Sequence, residues 1–168
     1  AVRGVPLIVL AYFIYFGVPY CLNNMMGFNF TLTALQAGTV CLALNCGAYM
    51  AEIIRAGILS VDPGQMEGGR AMGLSFATTM RKIVIPQAVK NILPTLGNEF
   101  IALIKETSVV SFVGAADLYV AFNYIGSNSY EFMVPYLVMA AIYIVLVLVI
   151  SILVKLMERS LKKSDRRN

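Results

Sequence analysis

VPYLVMAAIYIVLVLVISILVKL, residues Val134 to Leu156, carries no formal charge until Lys155 and is almost entirely aliphatic or aromatic. A helix needs about 20 such residues to cross the hydrocarbon core of a bilayer, so this stretch reads as a membrane span. Three further stretches share its character: about 6–21 (PLIVLAYFIYFGVPYC), about 32–54 and about 92–116. The first is short, and the third carries charged residues. Composition agrees, because 59% of the 168 residues are hydrophobic and 13% are charged, against about 45–50% and about 25% in soluble domains. Four spans and their connections account for nearly the whole chain. The expected fold class is all-α integral membrane, a single transmembrane domain over 1–168 with four helices.

Placement of the basic residues orients these spans. With four crossings, the chain start, the 60–91 segment and the tail share one side, and the 22–31 and 117–133 connections share the other. Arg3, Arg55, Arg70, Arg81, Lys82, Lys90, Lys155, Arg159, Lys162, Lys163, Arg166 and Arg167 lie on or near the first side, and the two connections on the second contain no Lys or Arg. Short cytoplasmic loops are enriched in Lys and Arg, so the 60–91 loop and the C-terminus are expected in the cytoplasm. The net charge of +4 then follows from topology and membrane lipid, and no nucleic-acid partner is called for. Phe28, Phe30, Tyr124 and Tyr130 are expected at the outer interface, where aromatic rings concentrate.

Several chemistries are excluded. The chain has no histidine and no G-x4-G-K-[ST] loop, which removes HExxH zinc sites, Ser-His hydrolysis and Walker-type ATP binding. Cys21, Cys41 and Cys46 form no CxxC pair and sit in or beside apolar stretches, so they read as small hydrophobes. No catalytic residue and no metal site is expected.

The 60–91 loop holds the most specific signal. It reads Glu67-Gly68-Gly69-Arg70-Ala71-Met72-Gly73, then nine residues, then Ile83-Val84-Ile85-Pro86. Small residues let a short helix approach another surface closely, Met66 and Met72 offer adaptable apolar contact, and Glu67 near the helix start suits the dipole. Two adjacent glycines cost about 1 kcal/mol each in a helix interior. The pattern resembles the cytoplasmic "EAA" signature of ABC importer permeases, E-A-A, three residues, Gly, nine residues, I-x-L-P, with glycine in place of both alanines and Ile85 in place of leucine. Arg3-Gly4-Val5-Pro6-Leu7, Tyr12 to Gly17, Ala48 to Ile58, Leu93 to Phe100 and Lys105-Glu106-Thr107-Ser108 are similar to runs of the polar amino acid (histidine/glutamine-type) branch.

That resemblance implies a coupling helix whose Glu67, Gly68, Gly69, Ala71, Met72 and Gly73 dock on a cytoplasmic ABC ATPase subunit. It implies further partners: a second permease subunit, identical or not, and an extracytoplasmic amino-acid-binding protein. It implies no cofactor in this chain, with ATP bound by the ATPase. It also implies a further helix before this start, five spans in the complete subunit, and a bacterial or archaeal plasma membrane.

An ionisable group at bilayer depth is costly and marks function by default. The third span holds Asn98, Glu99, Lys105, Glu106, Thr107 and Ser108; Asn98 and Lys105 are seven apart, as are Glu99 and Glu106, so each pair shares a helix face. One reading has this stripe line the pathway, Lys105 attracting an amino acid's carboxylate and Glu106 or Glu99 its ammonium. The other has these groups pair with neighbouring helices, and Asn45 in the second span is a weaker candidate of the same kind. The competing functional class is a stand-alone secondary transporter or channel that uses the stripe without an ATPase.

Overall fold

The computed structural model describes residues 4–27 and 29–165; Arg3, Phe28, Arg166 and Arg167 lie outside them. Every regular element among the described residues is helical. Helix α1 covers Leu7–Met26, α2 Ala34–Leu59, α3 Pro63–Ala71, α4 Phe76–Val113, α5 Leu118–Ser129 and α6 Met133–Asp165. Three helices are long and apolar enough to cross a membrane: α1, α2 and the Met133–Met157 part of α6. A fourth crossing results if α4 and α5, bent by 56° relative to each other, form one broken span.

Helix extends beyond the four expected spans in two places. The 60–91 segment is helical for most of its length, because α3 occupies its first half and α4 begins at Phe76. Likewise α5 fills most of the 117–133 connection. Polarity concealed the early part of α4, although its apolar residues keep a helical period: Ala88 and Ile92 are buried, with Leu96 packed beside them. Asp117 starts α5 by accepting a hydrogen bond from the Val120 N–H at 2.9 Å, and the left-handed Tyr130 ends it.

Prolines shape the helices without breaking them. Pro94 lies inside the α-helical run Ile85–Glu106. Pro19 and Pro86 each follow a widened π-helical turn, Phe13–Gly17 and Met80–Val84. A proline removes an N–H and its ring crowds the carbonyl four residues back. Those carbonyls belong to Tyr15 and Lys82, both inside the widened turns, which accommodate the ring.

By its internal contacts the chain divides into two units, 1–48 with 101–149 and 49–100 with 150–168. In the first, Ala11 and Ile14 of α1, Ala37 and Cys41 of α2 and Val113 of α4 form the core, joined by Leu7, Leu10, Tyr15, Leu32 and Val109. Small residues permit this packing: a Cβ on Gly38 would stand 2.7 Å from Val110 Cγ1. Cys41 is buried there and all three cysteines are free thiols. In the second, Val61, Val84, Ala88 and Ile92 form the core with Ile53, Ile58, Met66, Met80 and Leu96. A Cβ on Gly57 would run into Ile92, and one on Gly97 would stand 2.5 Å from Val154 Cγ1.

Within the second unit α3 is capped at both ends. Asp62 Oδ1 accepts from the Gly64 N–H at 2.7 Å, and Pro63 fills the first helical position, where its missing N–H costs nothing. At the other end Leu74 N–H donates to the Gly69 carbonyl at 3.1 Å and Gly73 N–H to the Arg70 carbonyl at 3.0 Å, with Gly73 at φ +83°. This is a Schellman termination, whose left-handed residue favours glycine. The caps, each worth about 1 kcal/mol, offset the two interior glycines.

Side chains then bind α3 to the rest of its unit. Gly69 is buried, and a Cβ there would lie 2.5 Å from Thr79 Cγ2 and 3.2 Å from Ile83 Cδ1. Thr79 itself is fully buried, with its hydroxyl donating to the Ser75 carbonyl at 3.0 Å. Gln87 Nε2 donates to Gln65 Oε1 at 3.1 Å and Asn91 Nδ2 to Ser60 Oγ at 2.9 Å.

Two paired substitutions test this packing through thermal unfolding in detergent. Gly57→Ala is expected to destabilise by about 1–3 kcal/mol by overpacking against Ile92, whereas Gly47→Ala, which meets open space, should be neutral or stabilising. Gly68→Ala, also in open space, should stabilise by about 0.5–1 kcal/mol, and Gly69→Ala should lower the melting temperature.

Candidate functional site: the short helix and the buried polar pair

Glu67, Gly68, Ala71 and Met72 fall at i, i+1, i+4 and i+5 of α3, which is one face of a helix, and all four are exposed. Met72 is 86% exposed, and a Cβ added to Gly68 would have nothing within 4 Å. Gly73, also exposed, forms the turn that ends the helix. Gly69 stands apart from these five. It faces Thr79 and Ile83 inside its own unit, so its smallness serves internal packing.

The chemistry of this face is small, apolar and singly acidic. Arg70 lies in the last turn, where a cation complements the helix dipole, and its Nη1 donates to the Leu74 carbonyl at 3.3 Å. Phe76, 58% exposed in the first turn of α4, lies three residues past Gly73 and went unremarked in the sequence reading. Its signal there was a lone aromatic within a polar run.

The polar stripe of α4 belongs to both units, so its members are described separately. In the second unit Asn98 is exposed and Glu99 half-buried. In the first, Lys105 is exposed and Glu106 half-buried. Thr107 Oγ1 donates to the Ile104 carbonyl at 2.7 Å, Ser108 Oγ to the Lys105 carbonyl at 2.9 Å and Ser111 Oγ to the Ser108 carbonyl at 2.7 Å. These hydroxyls therefore direct their protons to their own helix, which tightens into a 3₁₀ turn over Thr107–Val113. Glu106 is reached from another helix: Asn45 Nδ2, on α2, donates to Glu106 Oε2 at 3.2 Å. Asn45 is only 7% exposed. Among the described residues no group of three or more Cys, Asp or Glu could hold a metal ion.

Comparisons with known proteins agree with this picture. The model of the family described as "Binding-protein-dependent transport system inner membrane component" matches residues 1–163. A putative glutamine transport system permease protein of Rickettsia bellii is 40% identical over 159 residues, 95% of this chain and 70% of its own length. The arginine transport system permease protein of Bacillus subtilis is 38% identical over 163 residues, 97% of this chain and 72% of its own length. Among solved structures, an amino acid ABC transporter with histidines superposes with a TM-score of 0.85 at 48% identity, covering 95% of this chain and 71% of that one. The match runs along nearly the whole chain in family, sequence and fold, and the protein belongs to the binding-protein-dependent transport system inner membrane components, the multi-pass permeases of ABC transporters.

Proposed function

We propose that this chain is the transmembrane subunit of an ATP-driven importer that moves a polar amino acid across the plasma membrane by alternating access. The observation that carries the proposal is the construction of α3: an exposed face of Glu67, Gly68, Ala71 and Met72 on a helix capped at both ends and wedged through Gly69 against Thr79. A span moves in response to a partner only if the element that receives the force is stiff and joined to it. The face is small enough to enter a groove and apolar enough to bind there, with Phe76 adding contact beside it. The partner is a cytoplasmic ABC ATPase subunit, which binds ATP; this chain has no nucleotide site of its own and is a transport subunit rather than an enzyme.

Charge distribution supports the orientation. Eleven of the thirteen basic residues lie within 55–90 and 155–167, the stretches that include α3 and the C-terminal part of α6. The 60–91 segment and the tail accordingly face the cytoplasm, in keeping with the enrichment of Lys and Arg there, and the C-terminus is cytoplasmic. An extracytoplasmic binding protein delivers the solute to the opposite side, and a second permease subunit, a like copy or a homologue, completes the transporter. The named relatives concern glutamine and arginine, both polar amino acids. Along the pathway in the first unit Lys105 attracts the carboxylate and Glu106 the ammonium, and Thr107 and Ser108 supply neutral polar surface.

Docking is tested by co-purification of the tagged complete subunit from native membranes. Wild type is expected to bring a Walker-motif ATPase. Gly68→Leu and Met72→Glu should lose it without lowering the melting temperature, because neither side chain meets its own fold. Gly73→Leu serves less well, since the positive φ there strains the helix end of itself. Purification of the wild type alone, with solute movement independent of ATP, would establish the stand-alone transporter instead.

A further inference from the structure

Two buried polar side chains appear among the described residues, Asn45 and Thr79. Thr79 satisfies itself on its own helix. Asn45 does not: its hydrogen bond runs to Glu106, 61 positions away and on another helix. Asn45 lies 11 residues into the 26-residue α2, about 17 Å along it at 1.5 Å per residue, and therefore near the middle of a span. At that depth a carboxylate is strongly disfavoured unless donors face it. Hydrogen bonds to an ionised acceptor are about twice as strong as neutral ones.

The alternatives for this donor are closed to its neighbours. Thr107 and Ser108 donate to backbone carbonyls, and Lys105, next in the chain, is exposed. An amide suits the task for a chemical reason: it neither titrates nor neutralises the carboxylate, as a lysine would. It engages Oε2 and leaves Oε1 for a cation. Glu106 is half-buried, so the carboxylate is held against α2 while part of it remains accessible.

We propose that Asn45 is the positioning residue for Glu106, fixing its carboxylate across the α2–α4 contact so that the free oxygen meets the ammonium group of an amino acid. The inference rests on the reading of Glu106 as a pathway carboxylate. A helix-to-helix tie with no bearing on solute would use the same bond, and the two roles differ in what depends on it. A tie contributes to stability whatever stands at 106. A positioning residue contributes to ligand affinity only while the carboxylate is present.

The experiment is a double-mutant cycle on the complete permease–ATPase complex in detergent, free of binding protein. Dissociation constants are measured by equilibrium dialysis against a panel of radiolabelled common amino acids, with melting temperatures alongside. Asn45→Ala, and Asn45→Leu as a variant that refills the volume, are expected to weaken binding roughly tenfold or more, the effect of losing one hydrogen bond to a charged group. Glu106→Gln should weaken it at least as much, and adding Asn45→Ala to Glu106→Gln should weaken it no further. If Glu106→Gln binds as wild type does, or wild type binds no amino acid, the pathway reading of Glu106 fails and the proposal fails with it. If Glu106→Gln weakens binding but both Asn45 variants bind normally, or their loss persists undiminished beside Gln at 106, the pathway reading stands and the positioning role is overturned. Loss of assembly in both Asn45 variants would likewise overturn it in favour of a structural tie.

Discussion

Most of the large apolar side chains among the described residues are exposed within the single chain, and none of the most apolar 18 residues of the Met133–Met157 stretch is buried. In a membrane-spanning chain such a surface suits lipid rather than water. Where no water is available, every backbone N–H and C=O must find its partner within the chain, and a helix is the simplest arrangement that does so. That constraint accounts for a structure without strands among its described residues, for prolines accommodated by widened turns, and for Thr107, Ser108 and Ser111 returning their protons to backbone carbonyls.

Because lipid tails are as apolar as the side chains, burial alone cannot drive helices together, and close approach of small residues has to contribute. The contacts of Gly38 with Val110, Gly57 with Ile92 and Gly97 with Val154 are of this kind. The same device recurs outside the long helices, where Gly69 lets α3 settle on Thr79. Two glycines of α3, one residue apart, differ in their surroundings: Gly69 faces inward and joins the helix to its unit, whereas Gly68 faces outward with open space beside it.

The polar groups divide in the same way. Most satisfy themselves locally, through caps and helix carbonyls, and so stabilise an element without linking it to another. Asn45 and Glu106 link α2 to α4 instead. A charged group kept at that depth by one well-placed amide is a costly arrangement.

Much was legible in the sequence. Hydropathy marked the membrane class and the apolar middle of each long helix, and the spacing from Glu67 to Pro86 marked the family, since each depends on local order along the chain. The extent of α4 was not legible, because its first turns are amphipathic and a hydropathy reading stops where polarity begins; α5 was too short to stand out. Facing was beyond reach for a deeper reason. Gly68 and Gly69 are identical as letters, and only the position of Thr79 makes one internal and the other external. Asn45 and Glu106 likewise stand 61 positions apart, and only the contact of α2 with α4 turns two separately noted polar residues into a pair.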